Sequence, residues 1–300
     1  MVGNAEKNKR RSEGVPVSEL KVLIAYWRGG FDWRAQESRL NRLPQYVCTL
    51  DCGQEIHFIH KKGRGSTCRP LLMIHDWPGL FTEMEAILPL LTDPAAHGAG
   101  ELDAFEVVVP SLPGYGFSPA PRNSGTGLYE IAGMFAELME KLGYDSFCAQ
   151  GGDWGAHITS WLAHRFPERV QAIHLNFLPG SYSPYTGSDA PLSPAGQAFL
   201  DRQQAWYKQE GGYNLIQATL ACRLNDSPAG LAAWIYEKLY FWSDWKRSYD
   251  GTLISCSYCV TFHMAHLVLH RIPRLSDKQK IKQWRSHPVL GGNQPLTITC

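Results

Sequence analysis

Three hundred residues with 44% apolar side chains suffice for one large domain or a domain with a substantial insertion. A formal net charge of +1 points away from nucleic acid, and no run approaches the roughly eighteen apolar residues of a membrane span. The basic residues near the start have no apolar stretch behind them, so they do not read as a secretory signal, and a soluble, cytoplasmic protein is expected. The eight cysteines are scattered and read as reduced thiols.

Residues 1–13 are polar and read as a disordered N-terminus. Leu20, Leu23, Ile24 and Trp27 then form a helical stripe that ends at Gly29-Gly30, and a second short helix is expected from Asp32, its N-cap, to Leu40. Tyr46 to Leu50 and Glu55 to His60 read as strands around an Asp51-Cys52-Gly53 turn. Pro70 to Ile74 is a continuous apolar run of the kind found in buried parallel strands, and it empties into His75-Asp76-Trp77-Pro78-Gly79. A helix is expected over Leu80 to Leu91. Next comes a strand from Phe105 to Pro110, followed by the Gly/Pro-rich loop Ser111 to Ser118. Leu128 to Leu142 is a strong amphipathic helix. Phe147-Cys148-Ala149 leads as a strand into Gln150-Gly151-Gly152-Asp153-Trp154-Gly155, a helix is expected from Ala156 to Phe166, and Val170 to Leu175 is one more apolar strand.

Alternating strands and helices from Pro70 to Leu175 predict right-handed βαβ units and a mostly parallel sheet with helices on both faces. Sites in such sheets lie beyond the carboxyl ends of the strands, where all three unusual loops fall. The spacing G-x-D-x-G around Asp153 describes a sharp strand-to-helix turn with one side chain pushed out at its apex. The plain alternative is a buried Asp capping the following helix. A carboxylate at the apex attacks carbon and forms an ester, which suits epoxides and alkyl halides. After Leu178 a connector rich in Pro, Ser, Gly and Tyr precedes helical segments at about 195–209, 213–222 and 228–241, read as an inserted helical lid.

Several blocks together resemble the microsomal-type epoxide hydrolases of the α/β-hydrolase superfamily. They are Tyr26-Trp27-Arg28 with Phe31-Asp32-Trp33-Arg34, Ile56 to His60, His75 to Gly79, Pro110 to Ser118, Gly151 to Gly155 and Asn225 to Ile235, in that order. The resemblance covers roughly Gly14 to Asp244. It implies an N-terminal epoxide-hydrolase region over 14–69, an α/β-hydrolase core over 70–177, a helical lid over 178–250 and a divergent tail over 251–300. It also implies that Asp153 is the nucleophile, that Tyr213 is a ring-opening acid, and that the backbone N–H groups of Trp154 and Trp77 form the oxyanion hole. The implied partners are a small apolar epoxide and water, with no cofactor. Where the family's loop usually has Gly after its His, this chain has Asp76, a carboxylate that could repel the oxyanion or strain the turn. His75 reads as structural, its ring bonding the loop backbone.

After about Asp250 the resemblance stops, and the family's second lid tyrosine, catalytic His and charge-relay acid are not identifiable. The abrupt end reads as a frame change or altered splice, with a genuine new ending as the alternative, and it implies a nucleophile without its water-activating base. Cys256, Cys259, His263 and His266 are spaced too tightly for an ordinary zinc site, so no metal is expected. A haloalkane dehalogenase-like hydrolase and a catalytically dead binder of apolar ligands are the alternatives. The sequence fixes no oligomeric state.

Overall fold

The structure, a computed structural model, describes residues 16–177, 191–213, 216, 220, 224 and 226–242. The tail over 251–300 and most of the expected helix at 213–222 lie outside the described residues. The chain opens with α1 (Val17–Gly29) and α2 (Trp33–Leu40), the latter capped by Asp32, whose side chain accepts from the Ala35 N–H at 3.0 Å. The hairpin β1 (Gln45–Thr49) and β2 (Glu55–Lys61) follows, then β3 (Arg69–Ile74), a short α3 (Leu88–Thr92) and β4 (Phe105–Pro110). Next come α4 (Leu128–Lys141), β5 (Phe147–Gly151), α5 (Trp154–Arg165) and β6 (Val170–Leu175). Beyond them are α6 (Pro194–Glu210) and α7 (Pro228–Trp242), the second begun by Ser227, whose Oγ accepts from the Gly230 N–H at 3.0 Å.

The expected helix over Leu80 to Leu91 is a correction. A 3₁₀ turn at Phe81–Met84 is followed by a fresh start at Leu88. Pro89 explains the break: its ring and missing N–H confine it to a first helical turn, so the helix must begin there.

The sheet order is β1-β2-β4-β3-β5-β6. β1, β2 and β4 pair antiparallel, while β4, β3, β5 and β6 run parallel. This is the α/β-hydrolase arrangement, with β3 flanked by β4 on one side and β5 on the other. β3 and β4 are apolar on both faces because both faces are covered. Leu72, Ile74 and Val108 pack under Ile131, Phe135, Leu138 and Met139 of α4, whereas Leu71, Met73, Val107 and Val109 meet Leu80, Phe81 and Leu88. Each large side chain so buried contributes about 1.5–3 kcal/mol before conformational entropy is counted.

β6 differs from its neighbours. Only Val170 is buried, and Gln171 through His174 are exposed. Its apolar sequence therefore has β5 on one side and, among the described residues, no strand on the other. No helix of the described residues is long and apolar enough to cross a membrane.

Candidate active site

Three loops leave the carboxyl ends of β3, β4 and β5, and buried polar side chains tie them together. His75, at the end of β3, accepts the Leu112 N–H on Nε2 at 3.1 Å. A backbone N–H can only donate, so Nδ1 carries the ring proton and gives it to the Asp76 carbonyl at 3.0 Å. Burial lowers the His75 pKa to about 4, which keeps the ring neutral and this tautomer fixed. The histidine thus clamps the β3 loop to the β4 loop. Farther along the β4 loop, Ser118 Oγ reaches both the His57 N–H at 2.9 Å and the Ser111 carbonyl at 2.8 Å. The His57 ring lies 2.8 Å from Ser111 Oγ and 2.9 Å from Gln45 Oε1.

The third loop is the elbow. Asp153 has φ 44° and ψ −116° and is the one non-glycine residue with positive φ among the described residues. Such a backbone costs on the order of 1–3 kcal/mol and persists only where its surroundings hold it. Here they do. A Cβ on Gly151 would strike the carbonyl of Gly155 and come within 2.7 Å of Thr159 Oγ1. A Cβ on Gly155 would overlap the carbonyl oxygen of Ile74 and come within 2.9 Å of its carbon, and within 3.1 Å of the His75 carbonyl oxygen. The turn is therefore pressed between its own helix and the end of β3. The plain capping alternative fails on geometry, because the Asp153 side chain makes no cap hydrogen bond to α5. Its residue is exposed at the sheet edge.

The electrostatics are local. Desolvation raises the Asp153 carboxyl above the usual carboxylate range, and the His157 imidazole opposes that rise. Asp76 is raised by burial first and by the charge of Asp153 second, and the Gly79 backbone N–H partly offsets both. A Cβ on Gly79 would overlap a carboxyl oxygen of Asp76 and one of Glu83, so both oxygens occupy the space one methyl group would fill. Glu83 is pushed up to about 8 by desolvation and by Asp76. The residue as a whole is exposed, but its carboxyl turns back onto the loop. Tyr115 is held protonated, its pKa raised to about 12 by burial and then by Asp153 and Asp76.

Trp154 and Trp77 flank the apex in the two adjoining loops. Trp154 follows it directly and is 47% exposed, whereas Trp77 is half-buried and joined to Pro78 by a cis bond. Tyr213 lies elsewhere. It is half-buried in a cavity of about 480 Å³ bounded by α1, α6 and α7, with Leu20, Glu210 and Trp234 in its wall and none of Asp153, Trp154 or Trp77. Sequence reasoning passed over the Asp76–Glu83 contact and the position of Tyr115, which depend on packing between loops.

Among known proteins, residues 2–84 match the family model for the epoxide hydrolase N terminus, and residues 69–241 match that for the alpha/beta hydrolase fold. The chain is 46% identical over 246 residues to a candidate epoxide hydrolase of Stigmatella aurantiaca, covering 81% of this chain and 55% of that protein. It is 38% identical over 275 residues to epoxide hydrolase 1 of Oryctolagus cuniculus, covering 82% of this chain and 59% of that one. The chain thus spans little more than half the length of these relatives. The solved Aspergillus niger epoxide hydrolase superposes with a TM-score of 0.70 at 30% identity, covering 85% of this chain and 66% of that one.

Proposed function

The chain belongs to the α/β-hydrolase family, and from that premise we propose that it is an epoxide hydrolase, opening a small apolar epoxide through an ester to Asp153. The observation that carries this reading is the strained apex at φ 44°, which presents a carboxylate uncommitted to the helix cap at the carboxyl ends of β3 and β5.

In the first step an Asp153 oxygen attacks one epoxide carbon and the C–O bond opposite breaks. The departing alkoxide is a poor leaving group unless protonated as it forms, and Tyr213 supplies that proton. The Tyr213 assignment rests on the resemblance; the cavity it lines has no elbow residue in its wall. In the second step water adds to the ester carbonyl, and the oxyanion that forms is met by the backbone N–H groups of Trp77 and Trp154. Their places in adjoining loops locked by His75 and by Gly155 support that pairing. Asp76 stands in the same loop, its carboxyl raised by burial and by the charge of Asp153. The product is a vicinal diol.

The test is the intact mass of the protein after incubation with an aryl epoxide. A gain of one substrate mass that maps to Asp153, and that is absent from Asp153→Ala, is the expected result. Equal diol formation by wild type and Asp153→Ala would refute the nucleophile.

A further inference from the structure

We infer that Phe177 is a specificity-determining residue of the proposed reaction: its phenyl ring forms the wall beside the apex against which a flat, apolar substituent of the epoxide rests. The inference rests on the reading of Asp153 as nucleophile and adds the kind of substituent that the site selects.

Placement comes from contacts on either side of the apex. β6 pairs with β5 as far as Leu175, opposite Gly151, so the residues that follow run alongside the elbow. The Asn176 N–H donates to the Gly151 carbonyl at 3.4 Å. The Asn176 carboxamide stands where a Cβ on Gly152 would be, with its Cγ within 3.1 Å of that position, so the missing side chain of Gly152 gives the amide its place. One residue on, the Phe177 ring packs against the ring of His157, with centroids 6.1 Å apart. His157 belongs to the first turn of α5, and its backbone N–H is bonded to the Asp153 carbonyl at 3.3 Å. The extension of β6 therefore touches the chain just before Asp153 and again just after it. Main-chain pairing and packing together seat Phe177 beside the apex.

A wall residue needs no contact with the carboxylate oxygens. An epoxide attacked by Asp153 carries its substituents one bond from the reacting carbons, so the side chains next to the nucleophile are the ones those substituents meet. Phe177 is 41% exposed. A single exposed aromatic is ordinary on a protein surface. This one stands at the carboxyl end of a strand beside the nucleophile, where ligands of α/β sheets bind. Its ring meets that of His157 at 57°, so the imidazole does not lie flat over the phenyl face. An aryl substituent packs on such a face offset-stacked or edge-on, an arrangement that a saturated ring of the same size does not match. The same contact takes the exposed phenyl surface out of water.

The experiment uses the full chain as wild type, Phe177→Ala, Phe177→Leu, Phe177→Tyr, Ile173→Ala and Asp153→Ala. Each is mixed with styrene oxide or with cyclohexyl oxirane, a pair that differs in one aromatic ring, and the rate of adduct formation is read by intact mass. Wild type should react faster with styrene oxide. Phe177→Ala should lower that preference about tenfold, chiefly through the styrene oxide rate, while continued reaction with cyclohexyl oxirane shows that the variant is folded. Phe177→Leu should lose the preference as well, because it restores bulk without a ring, and Phe177→Tyr should keep it. Ile173→Ala removes an exposed apolar side chain from earlier on β6 and should also keep it. Equal losses for the two epoxides in Phe177→Ala overturn the inference, as does a wild-type preference retained by Phe177→Ala or Phe177→Leu. In each of these cases Asp153 still reacts. Adduct formation by Asp153→Ala, or none by wild type with either epoxide, instead sinks the nucleophile reading and takes the inference with it.

Discussion

Gly155→Ala tests whether the elbow is as tightly clamped as its geometry indicates. In an ordinary helix this change is favourable by about 0.8–1 kcal/mol, because Ala is the better helix former. Here the new methyl group would overlap the Ile74 carbonyl oxygen, lie 2.9 Å from its carbon and lie 3.1 Å from the His75 carbonyl oxygen. These are main-chain atoms at the end of β3, where Ile74 pairs with Gly151 of β5, and they cannot swing away as a side chain could. Overpacking of this kind costs about 1–3 kcal/mol, and a backbone partner puts it at the upper end. Subtracting the helical gain leaves a net loss of about 2 kcal/mol. With a urea slope of about 2 kcal/mol per molar, the midpoint should fall by about 1 M. Gly29→Ala is the matched control, since a Cβ there meets nothing within 4 Å, and it should hold or raise the midpoint. A Gly155→Ala midpoint equal to or above wild type would refute the clamp.

Glu83→Gln should stabilise the protein only at higher pH. A carboxyl raised to about 8 when folded gives stability that is complete below its unfolded value of about 4.5 and lost as pH climbs through about 8. The advantage of the glutamine should therefore grow across that window and level off above it, at about 1 kcal/mol once the residue's exposure is discounted, and a pH-independent difference in urea midpoints would contradict the assignment. His57→Phe removes a ring that meets Ser111 at 2.8 Å and Gln45 at 2.9 Å, leaving buried polar atoms unmet at a cost of about 2–3 kcal/mol. A melting temperature within a degree of wild type would show that those contacts contribute little. Ile173→Lys places a charge on exposed β6 and should slow concentration-dependent aggregation without moving the urea midpoint. Unchanged light scattering would mean that another surface drives association.

The legible parts of this chain are those whose cause is local. β4 and β6 fall at the bounds read from their apolar runs, and Asp32 caps α2 because a side chain three residues from an N–H needs no distant partner. The elbow was legible because glycines at 151 and 155 answer a short-range crowding problem. What the sequence hid is nonlocal. Nothing in Glu55–Lys61 announces that β2 joins β4 rather than β3. The meeting of Asp76 and Glu83 depends on a 3₁₀ turn where a helix was expected, and that turn depends on Pro89 farther on. The placement of Tyr213 beside Leu20 depends on how α6 and α7 meet α1.

The strand order also dictates a history for the growing chain. β1 and β2 can close as a hairpin as soon as they are made, yet β2 has no further neighbour until β4 is synthesised, and β3 waits for both β4 and β5. A sheet built in this sequence cannot extend steadily from one end; it has to be filled in from both sides of β3. Long-range closures of this kind are slow, and unmatched strands stay exposed to other nascent chains in the meantime. Slower translation between Lys61 and Phe105 would lengthen that exposed interval, so codon choice in this stretch bears on how much of the protein reaches its native state.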